Sequence, residues 1–254
     1  MNKKVAIVTG GGKGIGEAIV KKLVEDGFFV GIAEVDLECA KQLEAQYNGE
    51  VKAYYCDVSQ SQDVEKLIEE VVDDFGQLDV MVNNAGLSRE YGILEMTGEQ
   101  FEQLWKVNVS GVLFGIQAAA KQFIKQGHGG KIINASSIGG YRVQPAHAGY
   151  SATKFAVRSL TQAAARELGM YNITTNCYCP GYVMTPMMED IITNLSQEMN
   201  ITKEQLIAKK SQEVALQRPA YPEDIANVVS FMASEQADYM NGQAIIVDGG
   251  IIYK

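Results

Sequence analysis

Short apolar runs alternate with longer segments of helical periodicity along the whole chain of 254 residues, and this alternation constrains the fold more than any other feature. Strands that alternate with helices form a parallel sheet with helices on both faces. The sequence therefore predicts an α/β fold built on one doubly wound parallel sheet of seven strands. The predicted strands are residues 5–8, 28–33, 51–55, 78–82, 131–135, 173–178 and 244–247, and the main helical patterns are residues 37–47, 64–75, 101–125, 151–168 and 222–233.

No linker, repeat or low-complexity tract divides the chain. We therefore expect a single domain over residues 1–254. Residues 183–218 read as a helical insertion near the end of that domain. We expect this insertion to close over the active site as a lid.

Composition argues against several classes of partner. The net charge of −9 disfavours nucleic acid and anionic membrane surfaces, because binding phosphate needs clustered Lys and Arg. It also makes an acidic carrier protein a poor partner. No apolar stretch approaches the roughly 18 residues of a membrane helix, and residues 5–8 are too short for the core of a signal peptide. We therefore expect a cytoplasmic protein that binds no membrane.

The four cysteines, in a chain of this length without an export signal, predict neither a disulfide framework nor a metal site. Cys177 and Cys179 would share one face of a strand, but no second ligand pair or nearby histidine accompanies them. We expect them, with Cys39 and Cys56, to be reduced, and we expect no bound metal.

A glycine-rich turn, Thr9 to Gly16, lies between the first predicted strand and the first helix. In this position the two phosphates of a dinucleotide can approach backbone N–H groups and the positive end of the helix dipole. The turn is not a P-loop, because Gly14 follows Lys13 where Ser or Thr is required. We expect cofactor contacts from Gly10, Gly12, Lys13, Gly14, Ile15 and Gly16.

Glu34 ends the second predicted strand, twenty residues after Gly14. A carboxylate there can accept hydrogen bonds from the adenosine ribose and would repel a 2′-phosphate. No arginine lies between Gly16 and Glu34 to receive such a phosphate. The sequence therefore favours NAD over NADP. Asp36 is the alternative for this contact, and either acid could instead be a solvated turn residue.

Tyr150 and Lys154 lie four residues apart, about one helical turn, so we expect both side chains on one helix face. An ammonium roughly 4 Å from the phenol would lower the pKa of Tyr150 by about three units at an effective dielectric of about 20. The pKa would then lie near neutrality, where a general acid/base works best. Alone, this pair is common on solvated helices. Together with the glycine turn and Ser137, it predicts proton transfer to or from a substrate oxygen.

Several motifs occur in order: Gly10-x-x-x-Gly14-x-Gly16, Asn83-Asn84-Ala85-Gly86, Asn108, Ser137, Tyr150-x-x-x-Lys154 and Pro180-Gly181. Together they resemble the short-chain dehydrogenase/reductase family over essentially the whole chain. The resemblance implies a Rossmann-type fold and a nicotinamide cofactor. It also implies hydride transfer between the nicotinamide and a carbonyl or alcohol carbon.

The resemblance further implies a role for each matching residue. Tyr150 donates and accepts the proton, Lys154 lowers its pKa and holds the nicotinamide ribose, and Ser137 binds the substrate oxygen. Asn108 positions a water beside the lysine in a proton relay. The other implied cofactor contacts are Asp57 and Val58 at the adenine, Asn84, Ala85 and Gly86 beside the cofactor, Pro180 and Gly181 after the sixth strand, and Val183 and Thr185 at the carboxamide. Asn83 and Asn84 could instead be structural ties between strands.

A closer resemblance, carried by residues 115–119, 127–135, 154–158 and 238–243, is to the acetoin (diacetyl) reductases, also called 2,3-butanediol dehydrogenases. It implies NAD-dependent interconversion of diacetyl, acetoin and 2,3-butanediol. Three residues at positions that vary among relatives are expected to face the substrate: Ile138, Gln144 and His147. Met187 and Met188, which begin the helical insertion, are expected to close over it. Gln144 could bond the second oxygen of a diketone, and these residues could equally decide which stereoisomer forms.

Other functions stay open. A polyol or other secondary-alcohol dehydrogenase fits the same motifs. A 3-oxoacyl-carrier-protein reductase would need a basic docking patch and a preference for NADP, and neither is evident. A serine hydrolase is excluded because no glycine stands two residues before Ser137, as a nucleophile elbow requires. A nucleotide sensor without catalysis is disfavoured by the intact catalytic set. The resemblance also implies a homotetramer, with residues 101–125 and 151–168 between subunits.

Overall fold

The computed structural model describes residues 3–254, and the side chains of Met187, Asp190 and Glu198 lie outside that description. The strands are β1 Val5–Thr9, β2 Phe29–Glu34, β3 Val51–Tyr55, β4 Val80–Asn83, β5 Gly130–Ala135, β6 Ile173–Pro180 and β7 Ala244–Val247. They form one sheet in the order β3-β2-β1-β4-β5-β6-β7, and every pairing is parallel. The prediction of a seven-stranded parallel sheet is confirmed.

Helices connect these strands on both faces of the sheet. They are α1 Gly14–Glu25, α2 Leu37–Glu44, α3 Ser61–Phe75, α4 Gly98–Trp105, α5 Gly111–Gln126, α6 Ala148–Leu168, α7 Pro186–Glu198, α8 Lys203–Ser211 and α9 Pro222–Ala233. The single helix predicted over residues 101–125 is wrong in detail, because a π-helical segment, Lys106–Ser110, joins α4 to α5. Helices α7 and α8 lie within the predicted insertion, residues 183–218.

The sheet separates two apolar cores. Along β1, Ala6 and Val8 pack on the face covered by α1 and α9, whereas Val5 and Ile7 pack on the face covered by α3, α5 and α6. All of β1 is buried, as expected for a central parallel strand with helices on both faces. This burial explains why the strands read as continuous apolar runs rather than as alternating patterns.

The strand order changes direction between β1 and β4. Strands β2 and β3 extend the sheet on one side of β1, and strands β4 to β7 extend it on the other. In open α/β sheets, ligands bind beyond the carboxyl ends of the strands at such a point. The glycine turn follows β1, Asn84 follows β4 and Ser137 comes shortly after β5. The fold therefore brings the sequence-predicted residues to one edge. Among the described residues, no helix is both long and apolar enough to cross a membrane.

Candidate active site

The glycine turn after β1 is packed too closely to accept side chains. Gly10 and Gly14 have φ angles of 61° and 58°, and a Cβ atom at Gly16 would lie 2.0 Å from the carbonyl oxygen of Gly10. Within the described chain, no side chain caps the first N–H groups of α1. These N–H groups and the helix dipole fit the pyrophosphate of a dinucleotide.

Glu34 ends β2 beside this turn and is 7% exposed. Its Oε2 atom accepts a hydrogen bond from Gly12 N at 3.4 Å, and its Oε1 atom accepts one from Val35 N at 3.1 Å. Asp36, the alternative, is exposed at the start of α2. The contact with the glycine turn therefore belongs to Glu34.

The asparagine that ends β4, Asn83, and the one directly after it, Asn84, have structural partners. Asn83 donates from Nδ2 to Asn134 Oδ1 at 2.8 Å, which ties β4 to β5. Asn84 donates from Nδ2 to the carbonyl oxygens of Thr9 and Gly10 at 2.9 and 3.1 Å, and it accepts from the Tyr178 hydroxyl at 2.9 Å. The side chain of Asn84 thus shapes the glycine turn from behind.

Thr9 is a residue that the sequence reasoning missed. Its Oγ1 atom accepts hydrogen bonds from Asn84 N and Ala85 N, both at 3.0 Å. It therefore fixes the start of the Asn84–Gly86 segment against the end of β1. The available signal was a single hydroxyl residue at the carboxyl end of an otherwise apolar strand.

Ser137, Tyr150 and Lys154 come together beyond the end of β5. A Cβ atom at Gly139 would lie 3.3 Å from Tyr150 Cε1 and 3.4 Å from Ser137 Oγ. Ser137 Oγ accepts from Gly139 N at 3.0 Å, so its own proton can be donated to the Tyr150 oxygen. Lys154 Nζ donates to the Ala135 carbonyl oxygen at 2.9 Å and lies 5.6 Å from the centroid of the Tyr150 ring.

Desolvation has the largest effect on the pKa values of Tyr150 and Lys154. It raises the pKa of Tyr150, and the hydrogen bond with Ser137 opposes that rise. Burial also lowers the pKa of Lys154 to about 8. The sequence predicted that Lys154 would bring the pKa of Tyr150 toward neutrality, whereas the pKa shift in the structure has the opposite direction, because desolvation disfavours the phenolate.

Asn108 lies in the π-helical segment and is fully buried. Its Oδ1 atom accepts from Leu87 N at 2.7 Å, and its Nδ2 atom donates to Leu87 O at 2.9 Å and to Thr153 Oγ1 at 3.1 Å. A Cβ atom at Gly86 would lie 3.3 Å from Asn108 Oδ1 and 3.5 Å from Lys154 Nζ. Asn108 therefore fixes the segment after β4 directly beside Lys154.

The segment after β6 crosses the glycine turn. Pro180 ends β6, Gly181 N donates to Val247 O at 3.0 Å, and Val183 pairs with Ala220 in an isolated parallel bridge. Thr185 caps α7 by accepting from Met188 N at 3.3 Å. A Cβ atom at Gly14 would lie 3.5 Å from Thr185 Cγ2, so this segment covers the site that the turn forms.

At the other end of the site, Asp57 and Val58 follow β3 with local contacts. Asp57 Oδ1 accepts from Ser59 N at 3.0 Å, and Asp57 N donates to Asp63 Oδ2 at 3.1 Å. Val58 is buried, and a Cβ atom at Gly111 would lie 2.9 Å from its Cγ2 atom. These contacts fix the loop after β3.

The predicted substrate residues lie in two places: Ile138 and His147 are near Ser137 and Tyr150, and Gln144 and Met188 are near Tyr182. Ile138 is buried in a short 3-10 turn, Ile138–Gly140, directly after Ser137. Gln144 Nε2 donates to the Tyr182 hydroxyl at 2.9 Å, and Tyr182 is a partner that the sequence reasoning missed. Met188 lies with Tyr182 beside a small apolar cavity. The Met187 side chain, also predicted to face the substrate, lies outside the described residues.

His147 precedes α6, and its ring lies edge-on to Tyr150 with a centroid distance of 6.2 Å. Its Nδ1 atom is 3.0 Å from Pro145 O, so Nδ1 carries the proton that it donates to this carbonyl. Its Nε2 atom is 3.5 Å from Glu90 Oε1. His147 thus lies between the phenol of Tyr150 and the segment after β4 that carries Glu90.

The residues at this edge fit a nicotinamide dinucleotide. The turn and the start of α1 suit its pyrophosphate, and the carboxylate of Glu34 suits a ribose diol. Lys154 and Tyr150 lie beyond β5 at the far end of the same edge, where the nicotinamide half would extend. In the part of the chain that the structure describes, no group of three or more His, Cys, Asp or Glu is placed to hold a metal ion.

The chain is similar to several known proteins over nearly its whole length. A family model described as "Enoyl-(Acyl carrier protein) reductase" matches residues 10–252. The chain is 45% identical to a "Diacetyl reductase [(S)-acetoin forming]" from Staphylococcus aureus, over 100% of this chain and 99% of the relative. It is 43% identical to the "L-2,3-butanediol dehydrogenase" of Corynebacterium glutamicum, over 98% of this chain and 99% of the relative.

Among solved structures, that of levodione reductase is similar to the present one. It has a TM-score of 0.91 and 30% sequence identity, and the similarity covers 97% of this chain and 96% of that one. Because the family match and the relatives extend over the whole length, the relationship is not confined to the cofactor half. The chain belongs to the short-chain dehydrogenase/reductase family of nicotinamide-dependent enzymes, and it is an oxidoreductase that interconverts ketones and secondary alcohols.

Proposed function

We propose that this enzyme reduces diacetyl to acetoin, and acetoin to 2,3-butanediol, with NADH, and that it also catalyses the reverse oxidations. The names of relatives at 43–45% identity support this choice of substrate. The convergence of Ser137 and Tyr150 around Gly139 carries the chemistry, because it creates one point where a carbonyl oxygen can meet two hydroxyl groups. The relatives that form (S)-acetoin and that act on L-2,3-butanediol also favour products of S configuration.

The site would hold a nicotinamide that supplies or takes the hydride at the carbonyl carbon. Tyr150 gives its proton to the substrate oxygen during reduction and takes one back during oxidation. Ser137 donates a hydrogen bond to the same oxygen and stabilises the charge that develops there. Lys154 holds the nicotinamide ribose, and below about pH 8 its positive charge stabilises the Tyr150 phenolate left after proton transfer.

We propose that Asn108 takes part in the proton relay through its main-chain carbonyl oxygen and not through its side chain. All of its side-chain polar groups already have partners in Leu87 and Thr153. A π-helical segment shifts the backbone hydrogen bonds and is common at functional sites. A water held by the Asn108 carbonyl oxygen would lie beside Lys154 and would connect it to solvent.

We assign the preference for NAD over NADP to Glu34. Its buried carboxylate beside Gly12 supports the assignment, since a 2′-phosphate would meet a like charge there. Glu34→Gln should raise the ratio of NADPH to NADH activity about tenfold, or ~1.4 kcal/mol. Asp36→Asn is the matched control and should leave the ratio unchanged. An effect of Asp36→Asn alone would give the contact to that residue.

The pocket residues suit a small ketone with a second oxygen nearby. Ile138 and Met188 offer apolar contact to its methyl groups, and the Gln144–Tyr182 pair offers polar contact to its second oxygen. His147 beside Tyr150 closes the remaining side. The sequence predicted that Gln144 bonds the second oxygen of a diketone, and we propose that Tyr182 shares this contact.

A substrate panel tests the proposed reaction. NADH and NADPH oxidation would be followed with diacetyl, acetoin, simple ketones, 3-oxoacyl thioesters and enoyl thioesters, and the products would be separated on a chiral column. We expect diacetyl and acetoin to have the highest kcat/KM. Activity confined to the thioesters would contradict the proposal and favour a carrier-protein reductase.

We also propose a homotetramer. Large apolar side chains remain exposed on the helices that the sequence placed between subunits: Trp105, Ile124 and Phe155 are 39%, 43% and 42% exposed. Burial of such side chains between copies would remove them from water.

A further inference from the structure

Arg158 is a charged side chain to which no role has been assigned so far. It lies on α6, four residues after Lys154 and eight after Tyr150, so it follows the same side of the helix. Its Nη1 atom donates to the carbonyl oxygen of Gly140 at 2.6 Å. Its guanidinium carbon lies 3.5 Å from the centroid of the Tyr141 ring. Arg158 therefore joins α6 to the turn that follows Ser137.

Hydrogen bonds hold that turn at its start and at its end. At its start, Gly140 N donates to Ser137 O at 2.9 Å, and Gly139 N donates to Ser137 Oγ at 3.0 Å. A Cβ atom at Gly140 would lie 2.9 Å from Lys154 O, so the turn lies directly on α6. Its last contact is the Tyr141 hydroxyl, which donates to Ala244 O in β7 at 3.1 Å.

The cost of placing Arg158 here argues for a role. Among the described side chains it has no ion-pair partner, and its Nε atom is buried without a hydrogen bond. Buried thiols of β6 lie nearby: a hydrogen bond from Cys177 and, to a smaller extent, the charge of Arg158 lower the pKa of Cys179. A half-buried cation without a carboxylate loses part of its hydration, which is destabilising, and the stacking on Tyr141 offsets only part of that cost.

We propose that Arg158 is a positioning residue that sets the placement of Ser137 and Ile138 relative to Tyr150. The guanidinium holds the Gly140 carbonyl and the Tyr141 ring against the helix that carries the phenol. It thereby fixes the angle at which two hydroxyl groups meet one substrate oxygen. The inference rests on the proposed roles of Ser137 and Tyr150.

Arg158→Met removes the hydrogen bond and the charge while keeping most of the apolar stem. We expect kcat for ketone reduction to fall at least tenfold, with the KM for NADH unchanged within twofold. Because Ile138 moves with the turn, the chiral purity of the alcohol should also fall. Arg158→Lys can still reach one acceptor but cannot stack as a plane, so it should recover part of kcat. Arg166→Met, an exposed arginine on the same helix, is the control and should match the wild type.

A merely structural role would give a different result. Arg158→Met would then melt earlier, yet kcat per folded site, measured by active-site titration, and the chiral purity would equal those of the wild type. That result overturns the proposal, as does wild-type behaviour of a stably folded Arg158→Met. If Arg158→Met does not fold, Arg158→Lys and Tyr141→Leu carry the same test. If the wild-type enzyme does not reduce diacetyl, that result contradicts the proposed substrate and not the role of Arg158. The Arg158 variants are then compared on the carbonyl substrate that the panel identifies.

Discussion

The half-buried phenol of Tyr150 favours one direction of reaction at neutral pH. Burial raises its pKa, so the neutral form dominates at pH 7. A neutral phenol can donate a proton to a ketone oxygen, whereas alcohol oxidation requires the phenolate. The environment of this one side chain therefore suits reduction near neutrality, and oxidation should become faster as the pH rises.

Replacing Tyr150 by Phe tests its assignment as the acid. The change removes one hydroxyl group and keeps the ring beside Lys154 and His147. We expect kcat for reduction to fall about 10²–10⁴-fold, the usual contribution of general acid catalysis. NADH binding, measured by fluorescence titration, should change less than twofold. If cofactor binding is lost while kcat at saturation survives, Tyr150 has a binding role and not a catalytic one.

The charge of Lys154 predicts a second pH dependence. Burial lowers its pKa to about 8, so the ammonium is present below that pH and is lost above it. The kcat/KM for ketone reduction should therefore decline as the pH rises through about 8. Lys154→Arg keeps a permanent charge, so its residual activity should lack this decline. A wild-type profile that stays flat to pH 10 would contradict the assignment.

At the scale of elements, the glycine turn and α1 act as one unit. A Cβ atom at Gly16 would lie 2.0 Å from Gly10 O, so Gly16→Ala must push the helix away from the turn. We expect a loss of about 1–3 kcal/mol of stability, as for other overpacked sites. We also expect a rise of at least tenfold in the KM for NADH. Both are measured by thermal melts and steady-state kinetics.

Gly98→Ala is the matched control for that substitution. Gly98 begins α4, and nothing lies within 4 Å of the Cβ atom that it would gain. Its melting temperature and its KM for NADH should equal those of the wild type. An equal loss in both variants would mean that the close contact at Gly16 is not the cause.

The central strands, such as β1 and β4, were predictable from sequence because they are buried on both faces and read as apolar runs, whereas the edge strands β3 and β7 are only partly buried. The π-helical segment at Lys106–Ser110 was not, because one extra residue in a turn leaves the apolar pattern of the flanking helices intact. The asparagines show the same limit within the site. Their motif marked the place, but their partners, Thr9 and Leu87, are defined only by tertiary contacts. The direction of the pKa shift of Tyr150 was not predictable for a related reason, since spacing along a helix does not show how far a side chain is desolvated.

At the scale of the whole molecule, the exposed apolar side chains of α4 and α5 predict how copies assemble. Trp105→Glu should disrupt the proposed tetramer, because it places a charge where an apolar contact is expected. The molar mass from light scattering after size-exclusion chromatography should then fall to that of a dimer or monomer. Tyr239→Glu is the control, since Tyr239 is fully exposed and lies outside those helices. An unchanged mass for Trp105→Glu would remove this surface from the interface.

The order of the strands also determines how readily the enzyme can be redesigned. Glu34 lies at the end of β2 and Ile138 lies beyond β5, with β1 and β4 between them. At about 4.8 Å per strand, the two positions are about 14 Å apart. Free-energy effects of substitutions at that separation usually add. Selection, natural or in the laboratory, can therefore exchange the cofactor and the handedness of the product independently, one at each side of the sheet's midline.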